Sequence, residues 1–446
     1  MNPDAVFKAY DIRGRTDNGE LDDRLYGLVG AGLVHLLGVD RVALGRDCRP
    51  SSPGFFAALA EGVLASGADV VDLGEIPTDA LYYYSGAHQI AGGVITASHN
   101  PPVYNGLKLC RPGAAPIGSD TGLETIKEFV ATGSAIVSEK RGTMTSVDVV
   151  APYVDHLFSV VAPVEIGRLN VAVDGGNGMA GVAIHRVFDR LEAPLTGLYL
   201  EPDGTFPNHP ADPLVPENLR DLQSLLTGGD FDLGVAFDGD ADRAFFLDDR
   251  GAPLSGSTVT SLIARRLLRS HPGAAVVHNL ITSKAVPEIV AECGGVPIRT
   301  RVGHSFIKQV MAETGAVFGG EHSGHYYFRD NYRADSGMLA MLHLMAVLTE
   351  SGKPLSSLRG EVERYASSGE VNFTVTDVTS AIARVEGSVE GATIEHLDGL
   401  TVDYGREWFN LRPSNTEPLL RLNVEAEDAT RVEALVERVA EILEGS

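Results

Sequence analysis

The chain has 446 residues, length for about three domains, and its 44% hydrophobic and 22% charged side chains are those of a globular protein with sizeable cores. Its 60 acidic residues outnumber 36 basic ones, for a formal net charge of −24. Such a surface repels nucleic acid and anionic membranes, so neither is expected as a partner, and an anionic substrate would need a local basic patch.

Cys48, Cys110 and Cys293 are odd in number, widely spaced and form no CxxC pair. They read as free thiols in a reducing, cytoplasmic setting. The first residues lack the basic stretch and apolar core of a signal peptide. The longest apolar stretch, near Met338 to Leu348, contains His343 and is too short to cross a bilayer.

Near the start, Arg13 precedes a glycine and by itself reads as a surface ion-pair residue. Arg41 to Arg46 reads as a strand, Ser51 to Ala65 as a helix with Ser51 or Ser52 as its cap and Pro53 at its start, and Asp69 to Leu73 as a second strand. Together they form a βαβ unit with a parallel strand pair. A short buried strand, Ile90 to Ile95, then leads into Thr96-Ala-Ser-His-Asn-Pro101 and Pro102. The prolines stop any helix, so Ser98 is presented on a stiff loop at a strand end, with His99 and Asn100 beside it as hydrogen-bonding groups. Lys108 follows, as an exposed strand lysine or as a cation placed to meet a phosphate or tune a proton transfer. A polar connector, Arg141 to Ser146, closes a first α/β domain at 1–146.

The pattern recurs twice. Asn170 to Asp174, a helix through Phe188, and Leu195 to Leu200 make a second unit in a domain at 147–250. Ala274 to His278, a helix from about Ser283 to Cys293, and Pro297 to Thr300 make a third at 251–366. Gly176-x-Gly178-x-x-Gly181 follows the first strand of the second unit, and we read it as a tight βα turn. As a dinucleotide fingerprint it has only a weak acidic partner in Glu201.

The apolar run Leu233 to Phe237 ends in Asp238-Gly-Asp-Ala-Asp-Arg243. Three crowded carboxylates raise one another's pKa unless a cation sits between them, and hard oxygen ligands suit Mg²⁺ or Ca²⁺. Arg243 and Asp249 occupy the sixth and twelfth loop positions, which rules out an EF-hand. In the third domain Gly320-Glu-His-Ser-Gly-His325 places Glu321 and Ser323 where they suit vicinal hydroxyls. One nearby carboxylate and no third histidine speak against zinc. Lys284 and His304 read as ordinary surface residues.

The last segment, 367–446, reads as four strands and two helices, an α+β domain with an antiparallel sheet. Its loop Arg412-Pro-Ser-Asn-Thr-Glu-Pro418 offers a guanidinium with Ser414, Asn415 and Thr416, and Arg421 follows on the next strand. That is a phosphate clamp without a Walker lysine.

The loops at Ser98, Asp238 to Arg243, Gly320 to His325 and Arg412 to Pro418 resemble, in order, the phosphoserine, metal, sugar-binding and phosphate-binding loops of the α-D-phosphohexomutases, and the opening resembles the phosphomannomutase/phosphoglucomutase branch. The resemblance implies three similar α/β domains and an α+β domain around a central cleft. It implies phosphoryl transfer between Ser98 and hexose phosphates, interconverting mannose 6-phosphate and mannose 1-phosphate through a hexose 1,6-bisphosphate. Phosphoglucomutase and phosphoglucosamine mutase activities stand as alternatives, as does a serine-dependent metal phosphatase. A Ca²⁺- or sugar-phosphate-binding protein without turnover is a third class, against which the presence of both nucleophile and carboxylates speaks. Carried over residue by residue, Ser98 with Asp238, Asp240 and Asp242 would hold Mg²⁺. Arg13, Lys108, Arg243, Lys284 and His304 would act at the reacting groups. Glu321, Ser323, His325, Arg412, Ser414, Asn415, Thr416 and Arg421 would bind substrate.

Overall fold

The computed structural model describes residues 2–134, 137–161, 166, 168–414 and 419–444. In the first domain the helix Ser52–Ala65 joins the parallel strands Arg41–Arg46 and Asp69–Glu75, and Ala91–Ile95 lies parallel on the other side of Arg41–Arg46. Val171–Asp174 pairs in parallel with Leu195–Leu198, and Ala275–Asn279 with Val296–Thr300, so all three βαβ units are present.

Each of these three sheets also has an antiparallel return strand whose extent and direction the pattern of residues did not disclose. Tyr104–Arg111 runs antiparallel to Ala91–Ile95, Ala244–Leu247 to Leu233–Phe237, and Tyr326–Phe328 to Phe318–Gly320. Asn105 to Cys110 is buried on both faces, so it lacks the alternation of polar and apolar residues that marks a half-exposed strand. The consequence is functional: the Ser98, Asp238–Arg243 and Glu321 loops are all tips of hairpins built the same way. Met144–Ser146, within the polar connector, pairs with Val70 to Asp72 at the edge of the first sheet.

One hydrophobic core runs continuously through the first three sheets, from Ala43 to Val362. Through it passes the helix Gly337–Ser351, buried from Gly337 to Leu348, and its apolar circumference is that of a core helix. Among the described residues no helix is long and apolar enough to cross a membrane. The three cysteines are free thiols.

The last sheet is antiparallel, in the order Ala366–Thr374, Leu419–Ala426, Trp408–Pro413, Leu400–Asp403, Thr393–Glu395. With the helices Val378–Gly387 and Ala429–Glu444 it encloses a hydrophobic core of its own. Its bonds to the third domain are polar: Lys284 Nζ donates to Asp403 (2.6 Å), the Lys284 amide to Glu425 (2.9 Å) and the Val302 amide to Asp398 (3.1 Å), and Arg299 pairs with Glu395. A separate core behind a polar interface predicts separable unfolding. Scanning calorimetry should show two transitions, the smaller one belonging to 367–446 and moving with ionic strength. A single transition at all salt concentrations would contradict this.

Candidate functional site

Ser98 sits at the first hairpin tip, 4% exposed, with φ of 51° in the left-handed region that few residues other than glycine adopt. Its amide donates to Thr96 Oγ1 (2.9 Å), a local turn that the Thr-Ala-Ser order allows. The hydroxyl points into the acidic loop of the second domain. Ser98 Oγ donates to Asp238 Oδ2 (2.6 Å) and accepts from Arg243 Nη2 (3.0 Å), while Arg243 Nε donates to the same Asp238 oxygen (2.9 Å). Arg243 also donates to His99 Nδ1, and burial together with the Arg243 charge keeps that imidazole neutral, its pKa well below the ordinary value.

Asp238, Asp240 and Asp242 are almost wholly buried, and one oxygen of each lies within 4.8 Å of the others. Lys108, from the return strand of the first hairpin, reaches Asp240 Oδ2 (2.6 Å) and Asp242 Oδ2 (2.5 Å). Thr78 Oγ1 donates to Asp240 Oδ2 (2.6 Å). Lys108 is therefore buried and paired. Burial opposes its charge, but Asp240 and Asp242 outweigh burial and raise its pKa well above the ordinary value. Burial likewise opposes ionisation of Asp240, yet Lys108, Thr78 and Arg243 together hold its carboxyl below the usual range. Asp238 goes the other way: burial pushes it up to about 7, with Arg243 pulling against the rise.

With all three carboxylates ionised they face two cations here, which leaves the cluster one positive charge short. Asp240 Oδ1 and Asp242 Oδ1 are buried and accept no hydrogen bond from the described residues. All donors are hard oxygens, so the residues fit a divalent cation such as Mg²⁺.

Within Gly176-x-Gly178-x-x-Gly181, Gly178 packs against this loop and Gly181 against Leu200. A Cβ on Gly178 would lie 2.6 Å from Gly239 O, one on Gly181 1.7 Å from Leu200 O, and the Met179 amide donates to Gly239 O (2.9 Å). The motif is a tight turn on which the acidic loop rests. A Cβ on Gly239 in turn would lie 2.4 Å from Ser98 O, so the two loops meet backbone to backbone.

The third hairpin docks on the second through the Ala244 amide and Gly324 O (3.3 Å). His325 Nε2 stands 3.7 Å from Asp242 and 3.8 Å from Asp335, and Ser323 Oγ lies 3.2 Å from His325 Nδ1. Glu321 is buried and accepts from Tyr327 OH and, at 3.2 Å, from Asn279 Nδ2. Arg13 lies beside the Ser98 loop, with Nη1 donating to Asn100 Oδ1 (2.6 Å). In the last domain Arg412 donates to Asn423 (2.7 Å) and Glu370 (2.9 Å), and Arg421 stands 3.4 Å from Glu370. The Ser414 amide donates to Leu419 O (2.9 Å), while Asn415 and Thr416 lie outside the described residues. A cavity of about 320 Å³ between the third and fourth domains is lined by His322, Asn423 and Glu425 among others.

Lys284 is not brought to the Ser98 cluster: it bonds Asp403 and Gly405 O of the last domain. His304 begins the helix His304–Thr314, and its side chain lies outside the described set.

Profiles of the phosphoglucomutase/phosphomannomutase family match four successive segments: alpha/beta/alpha domain I at 4–136, domain II at 151–251, domain III at 255–365 and the C-terminal domain at 370–442. The chain belongs to the phosphoglucomutase/phosphomannomutase family. It is similar to a protein of Xanthomonas campestris pv. campestris described as phosphohexose mutases, 40% identical over 445 residues with 99% of each chain covered. It is also similar to a phosphomannomutase of Salmonella montevideo, 36% identical over 455 residues, covering 99% of this chain and 100% of that one. A crystal structure of a phosphoglucomutase/phosphomannomutase family protein from Burkholderia thailandensis matches with a TM-score of 0.90 at 32% identity, covering 100% of this chain and 98% of the other.

Several residues of this family member's site escaped the reading of its sequence. Arg49, Thr78, Lys308 and Asp335 all reach it from elements far away in the chain. Lys308 Nζ lies 2.7 Å from Asp335 and 4.0 Å from the centre of the Tyr82 ring, behind His325. A lone buried cation or hydroxyl at an element's end carries no local pattern. The one available signal was Arg49 standing three residues past a strand end in Arg46-Asp-Cys-Arg49.

Because Gly178 supports the acidic loop by backbone contact, Gly178→Ala should weaken divalent-cation binding by about tenfold or more, the size of effect seen when support around a metal site is disturbed. Titration calorimetry with Mg²⁺ checks this. Unchanged affinity would show that the loop holds its shape without the turn beneath it.

Proposed function

We propose that this phosphoglucomutase/phosphomannomutase family member interconverts mannose 6-phosphate and mannose 1-phosphate, and turns over the corresponding glucose phosphates, with Ser98 as the phosphoryl carrier. The observation that supports this most is the placement of Ser98 Oγ within hydrogen-bond distance of both Asp238 and Arg243, at the mouth of a three-carboxylate loop. The names of the Salmonella and Xanthomonas relatives point the same way.

In this reading phosphorylated Ser98 gives its phosphoryl group to a hydroxyl of the bound hexose monophosphate. The serine O–P bond breaks, an O–P bond to the sugar forms, and the sugar hydroxyl's proton passes in net to the departing Ser98 oxygen, which regains its hydroxyl. The resulting 1,6-bisphosphate turns end for end and returns its other phosphoryl group to Ser98, so free bisphosphate also acts as activator. Ser98, Asp238, Asp240 and Asp242 would hold Mg²⁺, which neutralises charge on the transferring group. Arg243, fixed by Asp238, stabilises the same charge from the side. Lys108, kept as an ammonium by Asp240 and Asp242, adds a second fixed cation. Arg13 steadies the Ser98 loop through Asn100.

Glu321 and Ser323 take ring hydroxyls near the middle of the sugar, O3 and O4, which stay in place when the two ends exchange. His325 lines the same side, and His304 is assigned there by resemblance. Arg412, Ser414, Asn415, Thr416 and Arg421 grip whichever phosphate is not reacting. Lys284 reaches the substrate only by exchanging Asp403 and Gly405 for it. A metal phosphatase would use the same residues, and release of free phosphate from mannose 1-phosphate without isomerisation would favour that reading.

Ser98→Ala should lose turnover by about a thousandfold or more while sugar-phosphate affinity stays within a few-fold, since the carrier goes and the clamp remains. Steady-state assay and calorimetry test both halves, and near-normal turnover would sink the proposal. Mannose and glucose phosphates differ at C2, a position that Glu321 does not read in this assignment. Their efficiencies should therefore lie within about two decades, and Glu321→Ala should depress both alike by roughly tenfold or more. Loss of one hexose alone would place C2 in the Glu321 loop.

A further inference from the structure

The backbone of the Ser98 loop is gripped by the buried side chain of Arg49. Arg49, 1% exposed, spends all five guanidinium N–H groups on fixed partners. Nη2 donates to Ser98 O (2.8 Å) and Asn100 O (2.7 Å), Nη1 to Pro101 O (2.8 Å) and Tyr104 O (3.0 Å), and Nε to Asp47 Oδ2 (3.0 Å). None of these bonds reaches Ser98 Oγ or a carboxylate of the acidic loop.

The arginine is itself clamped. Asp47 Oδ1 accepts from the Arg49 amide (3.0 Å) and from Ser52 Oγ (2.5 Å). From the second domain the Phe206 ring lies over the guanidinium, with its centroid 5.0 Å away. Gly204 packs so closely that a Cβ there would lie 2.3 Å from Arg49 Cα.

We propose that Arg49 is a positioning residue for phosphoryl transfer, holding the backbone from Ser98 to Tyr104 so that the Ser98 hydroxyl stays aimed between Asp238 and Arg243. The inference rests on Ser98 being the phosphoryl carrier. Ser98 adopts a left-handed conformation that costs a non-glycine residue free energy, so the loop persists only if its surroundings impose it. A planar fork with donors on two sides does this for four carbonyls at once. A lysine, with its donors at a single point, cannot.

The test uses Arg49→Lys and Asp47→Asn in the full chain. For each variant it measures Mg²⁺ affinity, melting temperature, steady-state kinetics on mannose 1-phosphate, and phosphorylation of Ser98 by intact mass after treatment with a hexose 1,6-bisphosphate. For Arg49→Lys, kcat should fall about a hundredfold, the cost of a misplaced reacting group, with KM and Mg²⁺ affinity within about threefold of wild type and labelling of Ser98 slowed in step. Asp47→Asn, nearly isosteric, should show the same split at about tenfold, because Nε loses its anionic partner while the fold is kept. Added guanidinium ion should restore part of kcat to Arg49→Ala, which a loss of fold would not permit.

If wild type turns over substrate with no label on Ser98, the carrier assignment falls and takes the Arg49 role with it. If wild type labels normally and a folded Arg49→Lys or Asp47→Asn keeps kcat within about twofold, the Arg49 role alone is overturned. Should Arg49→Lys fail to fold, Asp47→Asn decides.

Discussion

Three carboxylates buried side by side set the terms for the rest of this protein. A buried unpaired charge costs several kcal/mol, so Asp238, Asp240 and Asp242 must be met by cations and hydrogen-bond donors. The second domain supplies only part of that demand, through Arg243. Lys108 and Thr78 come from the first domain, and Ser98 completes the ring from the tip of its own hairpin. The first and second domains are therefore joined at the site by charge as well as by their shared core. The shortfall of one positive charge is what makes the place suitable for a divalent metal.

The three α/β domains solve one geometric problem three times. A buried central strand ends, a loop of small and polar residues turns over the sheet, and an antiparallel strand returns. The loops are thus anchored at both ends by strands within a core, which allows Ser98 and Ala241 to hold positive φ values of 51° and 62°. Where the second and third tips meet, Gly324 accepts a backbone bond from Ala244, and His325 comes to rest beside Asp242.

Much of this was legible in the sequence because the chemistry is concentrated in short loops. Ser98, the Asp238–Arg243 run and Glu321 stand at the ends of apolar runs and among glycines or prolines, a pattern visible without neighbours in space. The βαβ units announced themselves through changes of period. The return strand Tyr104–Arg111 did not, since a strand buried on both faces has no alternation to read. Lys108, taken as either exposed or functional, proves buried, because two carboxylates far away in sequence repay the loss of water. Arg49 and Thr78 were hard to find for the same reason: apart from Asp47 beside Arg49, the partners that place them at the site lie tens of residues away or more. Lys284 illustrates the converse, since its place in the order of motifs does not reveal that Asp403 competes for it.

On the proposed assignment, the separate core of the last domain divides recognition between two kinds of anchorage. Phosphate is common to every hexose phosphate, whereas the hydroxyls at O3 and O4 change only when the sugar differs there. The arginines proposed for phosphate hang on a module joined through polar bonds, and the loop proposed for O3 and O4 grows from the core that the other three domains share. A lineage drifting toward a sugar that differs at O3 or O4 would have to alter residues such as Glu321, which is buried and held by Tyr327 and Asn279. The grip on phosphate could shift its angle with little strain anywhere else.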